Sequence, residues 1–408
     1  MCKPELIYLV HRIPYPPDKG DKIRSHHILR YLLRKYRVHL GCFVDTPSDM
    51  QHVAALQCQC ASVFARPLPP LQARLKSLSA FLRGEALTLR YYRDRAMRHW
   101  VHKTIENNNI QAAMVFSSPM AQFLIGSHGA ALPRVMDFVD VDSDKWRQYA
   151  HGKRGLGKWV YAREAGKLLD YERRVARDFD ASVFVSPNET NLFTQLSPET
   201  RDRHYSLGNG VAYGYFDPEI PQSNPFGGVT EALVFTGMMN YWPNVDAVNW
   251  FARDVLPAIV QRRPNAEFWI VGDAPVRQVL DLARLPGVRV TGRVPDVRPY
   301  LRHARTIVAP LRIARGIQNK VLEALSMGKP VVCTPQAAAG LDRLPEAAVA
   351  VAGDGVAFAS RVVESLDRDQ HQVCKVARSF IIDHYDWDRN LERLDALLAP
   401  PQGNAAVG

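Results

Sequence analysis

Short apolar runs alternate with longer amphipathic stretches along the 408 residues of the chain. In the first half, the apolar runs predict strands at residues 6–10, 38–44, 112–116, 134–138 and 181–185. In the second half, they predict strands at residues 232–235, 267–271, 288–291, 306–309 and 330–333. Helical patterns such as 22–35 and 245–262 separate the strands. The alternation therefore predicts two α/β units, each with a parallel sheet covered by helices on both faces.

The chain is long enough for two domains, and a segment rich in proline and glycine divides it. This segment, residues 213–230, has no helical or strand periodicity and is predicted to be a linker. An N-terminal domain is expected over residues 1–212 and a C-terminal domain over residues 231–385. A last helix is predicted at residues 386–399, and residues 400–408 are predicted to form a disordered tail.

Composition places the chain among globular proteins, with 47% apolar and 23% charged residues. The six cysteines lack metal-binding spacing, so we expect reduced thiols in a cytoplasmic protein. The first apolar run is too short for a signal peptide, and no stretch approaches the roughly 20 apolar residues that span a bilayer. The expected location is the cytoplasm, either free or peripheral at the inner face of the cell membrane.

The net charge of +11 is unevenly distributed. Residues 1–210 contain 31 Lys and Arg against 20 Asp and Glu, whereas the remainder contains 21 of each. The excess lies mainly in residues 66–104 and 151–177, where basic residues are interleaved with leucines and aromatics. Such stretches either dock on an anionic membrane surface or form solvated helix faces. No motif that reads nucleic acid accompanies them, so nucleic acid is not an expected partner.

The most informative stretch, residues 316–332, combines a loop, a short amphipathic helix and a buried strand. The first turn of a helix offers unpaired N–H groups and the positive end of the dipole, which suit a phosphate. Lys320 adds a cation to that turn. Glu323 lies one turn further on, where a carboxylate can accept hydrogen bonds from a ribose diol. The alternative is that Glu323 is solvated, as a lone glutamate on a helix usually is.

This stretch resembles the nucleotide-sugar signature of glycosyltransferase family 4-like, group 1 enzymes, which retain the anomeric configuration and have the GT-B fold. The signature has two glutamates, followed by Gly-x-Pro and a strand. Glu323, Gly328 and Pro330 match it, whereas Arg315 occupies the position of the first glutamate. In the family that glutamate contacts the transferred sugar. The departure at Arg315 leaves open which sugar is bound and whether activity is altered.

The resemblance covers nearly the whole chain. Short elements of the family are matched, in order, at residues 208–211, 215–218, 235–237, 270–272 and 290–292. Residues 241–244 and 316–320 also resemble bacterial sugar transferases associated with PEP-CTERM/exosortase exopolysaccharide clusters. The resemblance implies two Rossmann-like, doubly wound parallel-sheet domains that face each other across a cleft. The N-terminal domain would bind the acceptor, the C-terminal domain would bind the nucleotide sugar, and the last helix would cross back to the N-terminal domain.

The implied activity is transfer of a hexose from a nucleoside diphosphate sugar to a saccharide or lipid-linked saccharide acceptor in exopolysaccharide biosynthesis. The nucleotide sugar is a co-substrate, and no cofactor or divalent metal is expected. Two alternatives stay open: a nucleotide-sugar epimerase of the same fold, and a non-catalytic sugar-nucleotide-binding module. A dehydrogenase is not expected, because no Gly-x-Gly-x-x-Gly follows the first strand.

Three residues are predicted to take part in the chemistry: Asp140, Asp142 and Lys320. Lys320 would neutralise the leaving diphosphate. Asp140 and Asp142 follow a predicted strand, at the sheet edge where ligands of open α/β sheets bind. One of them is expected to orient the acceptor hydroxyl or the donor sugar. Their spacing also fits a metal-binding loop, but a polar loop that precedes a helix is the preferred interpretation.

Donor-binding residues are predicted first in the loop that follows the first strand. Gly20 would allow close backbone approach, and Lys22 and Arg24 place cations at a helix start, where they are otherwise unfavourable. An alternative of equal weight is that Lys22 and Arg24 are solvated side chains without a role in binding.

Further donor-binding residues are predicted in the C-terminal domain. The family has its diphosphate-binding cations just after the first strand of this domain, where Gly237 begins a segment without any cation. The missing charge is assigned to Lys320 first, with Arg312 and Arg315 as alternatives. The remaining predicted donor contacts are Gly316, Ile317, Gln318, Asn319 and Glu323.

Overall fold

The computed structural model describes residues 3–17, 20–125, 132–314, 316–341 and 344–399. These residues divide into two compact units. The first unit contains the chain up to Gly208 together with the segment that begins at Leu391. The second unit is Asn209–Asn390.

Within the described residues, the first unit contains a seven-stranded, fully parallel sheet. Its strands are β1 (Glu5–Val10), β2 (Arg37–Val44), β3 (Ser62–Pro67), β4 (Ile110–Phe116), β5 (Arg134–Val139), β6 (Ala181–Phe184) and β7 (His204–Ser206). Their order in the sheet is β3-β2-β1-β4-β5-β6-β7. The chain thus winds outward in one direction from β1 and then in the other from β4, as in a doubly wound fold.

Helices connect these strands as parallel pairing requires. They are α1 (Gly20–Lys35), α2 (Val53–Gln57), α3 (Pro70–Ser77), α4 (Ala80–Arg83), α5 (Leu87–Tyr92), α6 (Arg95–Asn107), α7 (Asp142–His151), α8 (Gly155–Asp178) and α9 (Pro187–Leu196). Short 3-10 turns lie at Pro47–His52, Ser118–Phe123 and Pro198–Arg203.

The second unit contains a six-stranded parallel sheet within the part of the chain that the structure describes. Its strands are β8 (Glu231–Thr236), β9 (Ala266–Val271), β10 (Val288–Gly292), β11 (Thr306–Ala309), β12 (Val331–Cys333) and β13 (Val349–Val351). The order is β10-β9-β8-β11-β12-β13. The winding direction therefore reverses between β8 and β11.

The helices of the second unit are α10 (Trp242–Trp250), α11 (Leu256–Arg262), α12 (Arg277–Leu280), α13 (Arg298–His303), α14 (Asn319–Ser326), α15 (Pro335–Ala338), α16 (Gly355–Leu366) and α17 (Gln370–His384). A 3-10 turn lies at Asp281–Arg284. Two short helices follow at the C-terminal end of the chain, α18 (Trp387–Leu391) and α19 (Arg393–Leu398).

The predicted helix 245–262 is interrupted in the structure. A π turn at Phe251–Val255 separates α10 from α11. Pro257 lies in the first turn of α11. Because proline has no N–H, it cannot donate to a carbonyl one turn earlier, and the helical path adjusts just before it.

The predicted linker 213–230 lies within the second unit. Phe226 is buried in the core of that unit. Arg378 of α17 donates to the carbonyls of Tyr213 and Phe216, each at 2.8 Å, and pairs with Asp217 at 2.9 Å. The segment, all of which the structure describes, contains no helix or strand, so its sequence shows no periodicity. These contacts nevertheless hold it against the second unit.

The C-terminal end of the chain returns to the first unit. The predicted helix 386–399 is observed as α18 and α19, and α19 packs against β4 and β5. Leu394 and Leu398 are buried there. The predicted tail 400–408 lies outside the described residues. No described helix is both long enough and apolar enough to cross a bilayer.

Candidate functional site

The reversal of winding between β8 and β11 marks the place where a ligand of the second unit is expected. Ligands of open α/β sheets bind outside the carboxyl ends of the strands at such a switch point. The loop after β8 begins at Gly237, and the loop after β11 leads to α14. Residues from these two loops and from the first turn of α14 meet there.

Lys320, in the first turn of α14, reaches the loop that follows β8. Its Nζ donates to Asn244 Oδ1 at 2.8 Å and lies 4.0 Å from the centre of the Phe235 ring. A Cβ on Gly237 would lie 3.2 Å from the same Nζ. Asn244 is oriented by its own Nδ2, which donates to the Met238 carbonyl at 2.9 Å. The predicted residues Gly237 and Lys320 are therefore brought together.

Two glycines keep this site compact. A Cβ on Gly272, which follows β9, would lie 1.7 Å from the Gly237 carbonyl oxygen. No side chain fits there without moving one of the two loops. The loops after β8 and β9 therefore pack backbone to backbone beside Lys320. Gly237 and Gly272 end two of the short elements that resemble the family, residues 235–237 and 270–272. This contact explains why glycine is required at Gly272.

Burial sets the protonation of the charged pair on α14. Burial lowers the pKa of Lys320 to about 7, although Glu323 opposes the shift. Burial likewise raises the pKa of Glu323 to about 7, against the effect of Lys320. Among the described residues, Lys320 forms no salt bridge. Both side chains keep some exposure, so an anion can approach α14. A bound anion would favour the protonated, charged form of Lys320.

The apolar face of α14 positions Lys320 and Glu323. Val321, Leu322 and Leu325 are buried in the core of the second unit, so the polar residues point away from it. The loop before the helix makes a tight backbone contact, because a Cβ on Gly340 would lie 2.3 Å from the Gly316 carbonyl oxygen. The other predicted donor contacts, Ile317, Gln318 and Asn319, lie between this contact and Lys320 and are partly exposed.

Arg312, one of the two alternative cations, is already engaged in an ion pair. The Arg312 guanidinium donates from Nε to Asp246 at 3.0 Å and lies 5.7 Å from the centre of the Trp250 ring. Its charge is thus already paired within the second unit. Arg315 lies outside the described residues. Of the two proposed cations that the structure describes, Lys320 lies at the switch point.

In the first unit, the predicted donor cations are buried in ion pairs instead of lying on an open loop. Lys22 Nζ contacts Asp49 Oδ2 at 2.8 Å. Arg24 Nε contacts Asp137 Oδ2 at 2.8 Å, and its Nη1 donates to the Leu207 carbonyl at 2.8 Å. Both cations help to hold the sheet edge together. This explains their place in the first turns of α1 without a ligand, so we leave them out of the proposed donor site.

Gly20 is the first residue of α1, and a Cβ added there would meet no atom within 4 Å. The space around it is open, so close packing is no reason for a glycine at this position. Its predicted role in backbone approach to a ligand stays a prediction.

Asp140 and Asp142 lie where β5 ends and α7 begins. Lys145 Nζ bridges them, at 2.8 Å from Asp140 Oδ2 and 3.0 Å from Asp142 Oδ1. Burial disfavours this ammonium, but Asp142 and Asp140 together raise the pKa of Lys145 above its usual value. Just before Asp140, Val139 has a positive φ of 68°, which is rare and strained for a β-branched residue.

Two buried glutamates from the helices that follow hold this loop in place. Glu189 accepts the Val141 N–H at 2.8 Å, and Glu172 accepts the N–H and hydroxyl of Ser143 at 3.2 and 2.5 Å. Burial raises the pKa of Glu172 to about 8, with Asp142 adding to the effect. The strained backbone is therefore kept in one geometry, which presents Asp140 and Asp142 at the sheet edge.

The structure adds a cluster that the sequence pattern missed, at the switch point between β1 and β4. His11 Nε2 lies 3.2 Å from Asp21 Oδ2, and its ring stacks on Phe116 at 5.7 Å between ring centres. Arg12 pairs with the same Asp21 and donates to Asp45 at 2.9 Å. The signal that could have revealed the cluster is position, since His11 and Arg12 directly follow the first strand.

Comparison with known proteins finds a family match within the second unit. Residues 230–368 match the family described as glycosyl transferases group 1. No curated protein matches the chain in sequence.

Solved structures match along almost the whole chain. Anabaena HepE in complex with UDP has a TM-score of 0.67 and 13% identity, covering 97% of this chain and 99% of its own. Sucrose-phosphate synthase from Thermosynechococcus elongatus has a TM-score of 0.68 and 13% identity, covering 96% and 98%. WaaG, a glycosyltransferase involved in lipopolysaccharide biosynthesis, has a TM-score of 0.63 and 15% identity, covering 97% and 100%.

At such low identities these structures show the fold, and they confirm the predicted GT-B fold class. The family match lies in the second unit and contains Gly237, Lys320 and Glu323, the residues that surround its switch point. Residues 230–368 therefore match the family described as glycosyl transferases group 1, in a chain that has the GT-B fold.

Proposed function

We propose that the chain is a retaining glycosyltransferase that moves a hexose from a nucleoside diphosphate sugar to a saccharide acceptor. The observation that carries the proposal is the position of Lys320. Its ammonium lies at the β8/β11 switch point, against Gly237 and Asn244, and forms no salt bridge among the described residues. A diphosphate is the substrate group that this cation and the first turn of α14 together suit.

The donor would lie across the first turns of α14. Its diphosphate would accept hydrogen bonds from Lys320 and from N–H groups of the first turn of α14. Its ribose diol would donate to Glu323, one turn further along the helix. Because the cation and the helix dipole neutralise the leaving group, no divalent metal is needed. The HepE structures in complex with UDP and with UDP-glucose support a uridine nucleotide as the first donor to test.

The acceptor would bind at the carboxyl edge of the first sheet. Asp140 and Asp142 would orient its hydroxyl there, since they are presented by a strained and firmly held loop. We propose a lipid-linked saccharide of exopolysaccharide biosynthesis as the acceptor. Its place would be the cytoplasmic face of a membrane, because the first half of the chain holds the whole net positive charge.

Donor binding is the first experiment. The purified chain is titrated calorimetrically with UDP-, GDP-, ADP- and dTDP-sugars, and the best binder is then incubated with and without a saccharide acceptor. We expect one nucleotide to bind and sugar transfer to require the acceptor. An altered sugar nucleotide formed without acceptor would instead identify an epimerase. Binding without any turnover would identify a binding module.

A further inference from the structure

The first unit exposes a row of leucines that its fold does not use. Leu71, Leu75, Leu78 and Leu82 are 75, 71, 56 and 92% exposed. They lie on α3, on α4 and in the turn between them. Their spacing of four, three and four residues places them on one side of a nearly continuous helical path. Single exposed leucines are ordinary, but a one-sided row of four is typical of an interaction surface.

The start of α8 extends this row. Leu156 is 81% exposed and Trp159 is 56% exposed. The Phe81 ring of α4 stacks on Trp159 at 5.9 Å between ring centres. Arg163 of α8 lies 4.8 Å from the centre of the Phe81 ring and donates to the Ala80 carbonyl at 3.3 Å. The two elements are thus in contact, and we call the combined set Leu71, Leu75, Leu78, Leu82, Leu156 and Trp159 the Leu–Trp surface.

A buried carboxylate fixes the helix that directly follows the leucines. Glu164 of α8 has no exposed surface, and it accepts the Leu87 N–H at 2.7 Å, the Thr88 N–H at 2.9 Å and the Thr88 hydroxyl at 2.7 Å. It thereby caps α5, the helix that directly follows the leucine row. This cap and the contacts of Arg163 with Ala80 and Phe81 anchor the end of the leucine row to α8.

The charges within the two segments that carry the Leu–Trp surface are all of one sign. Residues 70–83 and 151–163 together contain seven Lys and Arg and no Asp or Glu. They are Arg74, Lys76, Arg83, Lys153, Arg154, Lys158 and Arg163. All except the half-buried Arg163 are exposed. Apolar side chains ringed by cations complement a surface that is anionic outside and apolar beneath, which is the layering of a bilayer with anionic phospholipids.

We propose that the Leu–Trp surface docks the first unit on a bilayer that contains anionic phospholipids. The leucines and the tryptophan enter the headgroup region, and the surrounding cations contact lipid phosphates. The inference rests on the proposed function for its purpose, since a lipid-linked acceptor is reached at a membrane. Its binding chemistry is independent of the donor site.

Vesicle sedimentation tests this surface. The full chain is mixed with phosphatidylcholine vesicles, with or without phosphatidylglycerol, at low and high salt. We expect pelleting only with phosphatidylglycerol, weakened by salt. The double variant Leu78→Ser/Leu82→Ser and the charge variant Lys153→Glu/Arg154→Glu should each lower the bound fraction at least tenfold. The matched controls are Val356→Ser on α16, where the valine is 83% exposed, and Lys375→Glu on α17, and both should pellet like the wild type.

The outcomes separate this inference from the proposed function. Circular dichroism and the thermal unfolding midpoint should be the same for all four variants as for the wild type, so a loss of pelleting cannot be attributed to misfolding of the first unit. Donor affinity measured by calorimetry should also be unchanged, because the donor site lies in the second unit. Absence of pelleting under every condition would overturn the docking proposal, as would pelleting that the Leu–Trp variants leave unchanged. Self-association of the chain that is lost in Leu78→Ser/Leu82→Ser would also overturn it, because the surface would then bind a second copy. Failure to bind any nucleotide would refute the donor site and leave the vesicle result standing.

Discussion

At the scale of single residues, Lys320 differs from the other cations that the sequence put forward. Lys22, Arg24 and Arg312 are each satisfied by a carboxylate within their own unit. The sequence cannot distinguish these cases, because the partners Asp49, Asp137 and Asp246 are far away along the chain. Glu323 is half-buried because it lies on α14, whose apolar face packs in the core of the second unit.

Replacing Lys320 by alanine should lower the rate of sugar transfer at least tenfold. The variant loses the cation that stabilises the departing diphosphate, and tenfold corresponds to about 1.4 kcal/mol in the transition state. Initial rates with saturating acceptor provide the measurement. Lys375→Ala, an exposed lysine on α17, is the matched control and should keep its activity. Unchanged turnover in Lys320→Ala would remove this residue from the mechanism.

Replacing Glu323 by alanine should weaken nucleotide binding, because the ribose diol loses its acceptor. The expected loss is about 1.5–3 kcal/mol, the usual contribution of a hydrogen bond to a charged group. Calorimetry with the nucleoside diphosphate alone isolates this contact from any contact with the sugar. Glu364→Ala, on an exposed face of α16, serves as the control. An unchanged dissociation constant would refute the ribose contact.

Donor affinity should fall as the pH rises above about 7. Burial lowers the pKa of Lys320 to about 7 in the unbound chain, whereas a bound diphosphate favours the protonated form. Binding therefore takes up a proton above that pH, and the dissociation constant should rise by up to about tenfold per pH unit. Titrations with a sugar nucleotide across this range measure the slope. In Lys320→Ala this fall in affinity should disappear. Any remaining slope should have the opposite sign, because burial also raises the pKa of Glu323 to about 7 and its charged form is the better ribose acceptor. A fall in affinity that persists in Lys320→Ala would assign it to another group.

At the scale of elements, the alternation of apolar runs was a reliable guide to the central strands. All ten strands predicted from it are present. Nine of them are largely buried and apolar, and the tenth, the edge strand β10, shows in the sequence through its alternating valines although it is only partly buried. The strands that it missed are β3, β7 and β13. All three lie at sheet edges, where β3 is only half-buried and β7 and β13 have three residues each. Edge strands need less apolar surface, so their pattern is weak.

The carboxyl ends of the strands were harder to predict than the strands themselves. The sequence indicated Asp140 and Asp142 at the end of a strand, but not the strained Val139 or the buried glutamates that hold the loop. Those contacts join residues far apart along the chain: Ser143 and Glu172 are 29 positions apart, and Val141 and Glu189 are 48 positions apart. A pattern that is local along the chain contains no information about such partners.

The glycine contact beside Lys320 predicts a large effect of a small change. In Gly272→Ala the new Cβ would lie 1.7 Å from the Gly237 carbonyl oxygen, so the two loops must separate. We expect a loss of about 2–4 kcal/mol in the free energy of unfolding, together with weakened donor binding. Gly166→Ala, inside α8 with no atom within 4 Å, should instead be neutral or stabilising by up to about 1 kcal/mol. Chemical denaturation measures both, and equal stabilities would contradict the contact.

At the scale of the whole molecule, the first unit is built from two segments that are far apart along the chain. The first unit is not complete when its sheet has been made, because α19 arrives from the far end of the chain and packs on β4 and β5. In Leu394→Ala/Leu398→Ala, two buried side chains are truncated there, and each truncation should cost about 2–5 kcal/mol. Guanidinium denaturation followed by tryptophan fluorescence should show a destabilised transition. The matched control is Leu82→Ala, whose side chain is 92% exposed and should contribute little to stability. If Leu394→Ala/Leu398→Ala unfolded at the same midpoint as the wild type and the control, the packing of α19 would not contribute to the stability of the first unit.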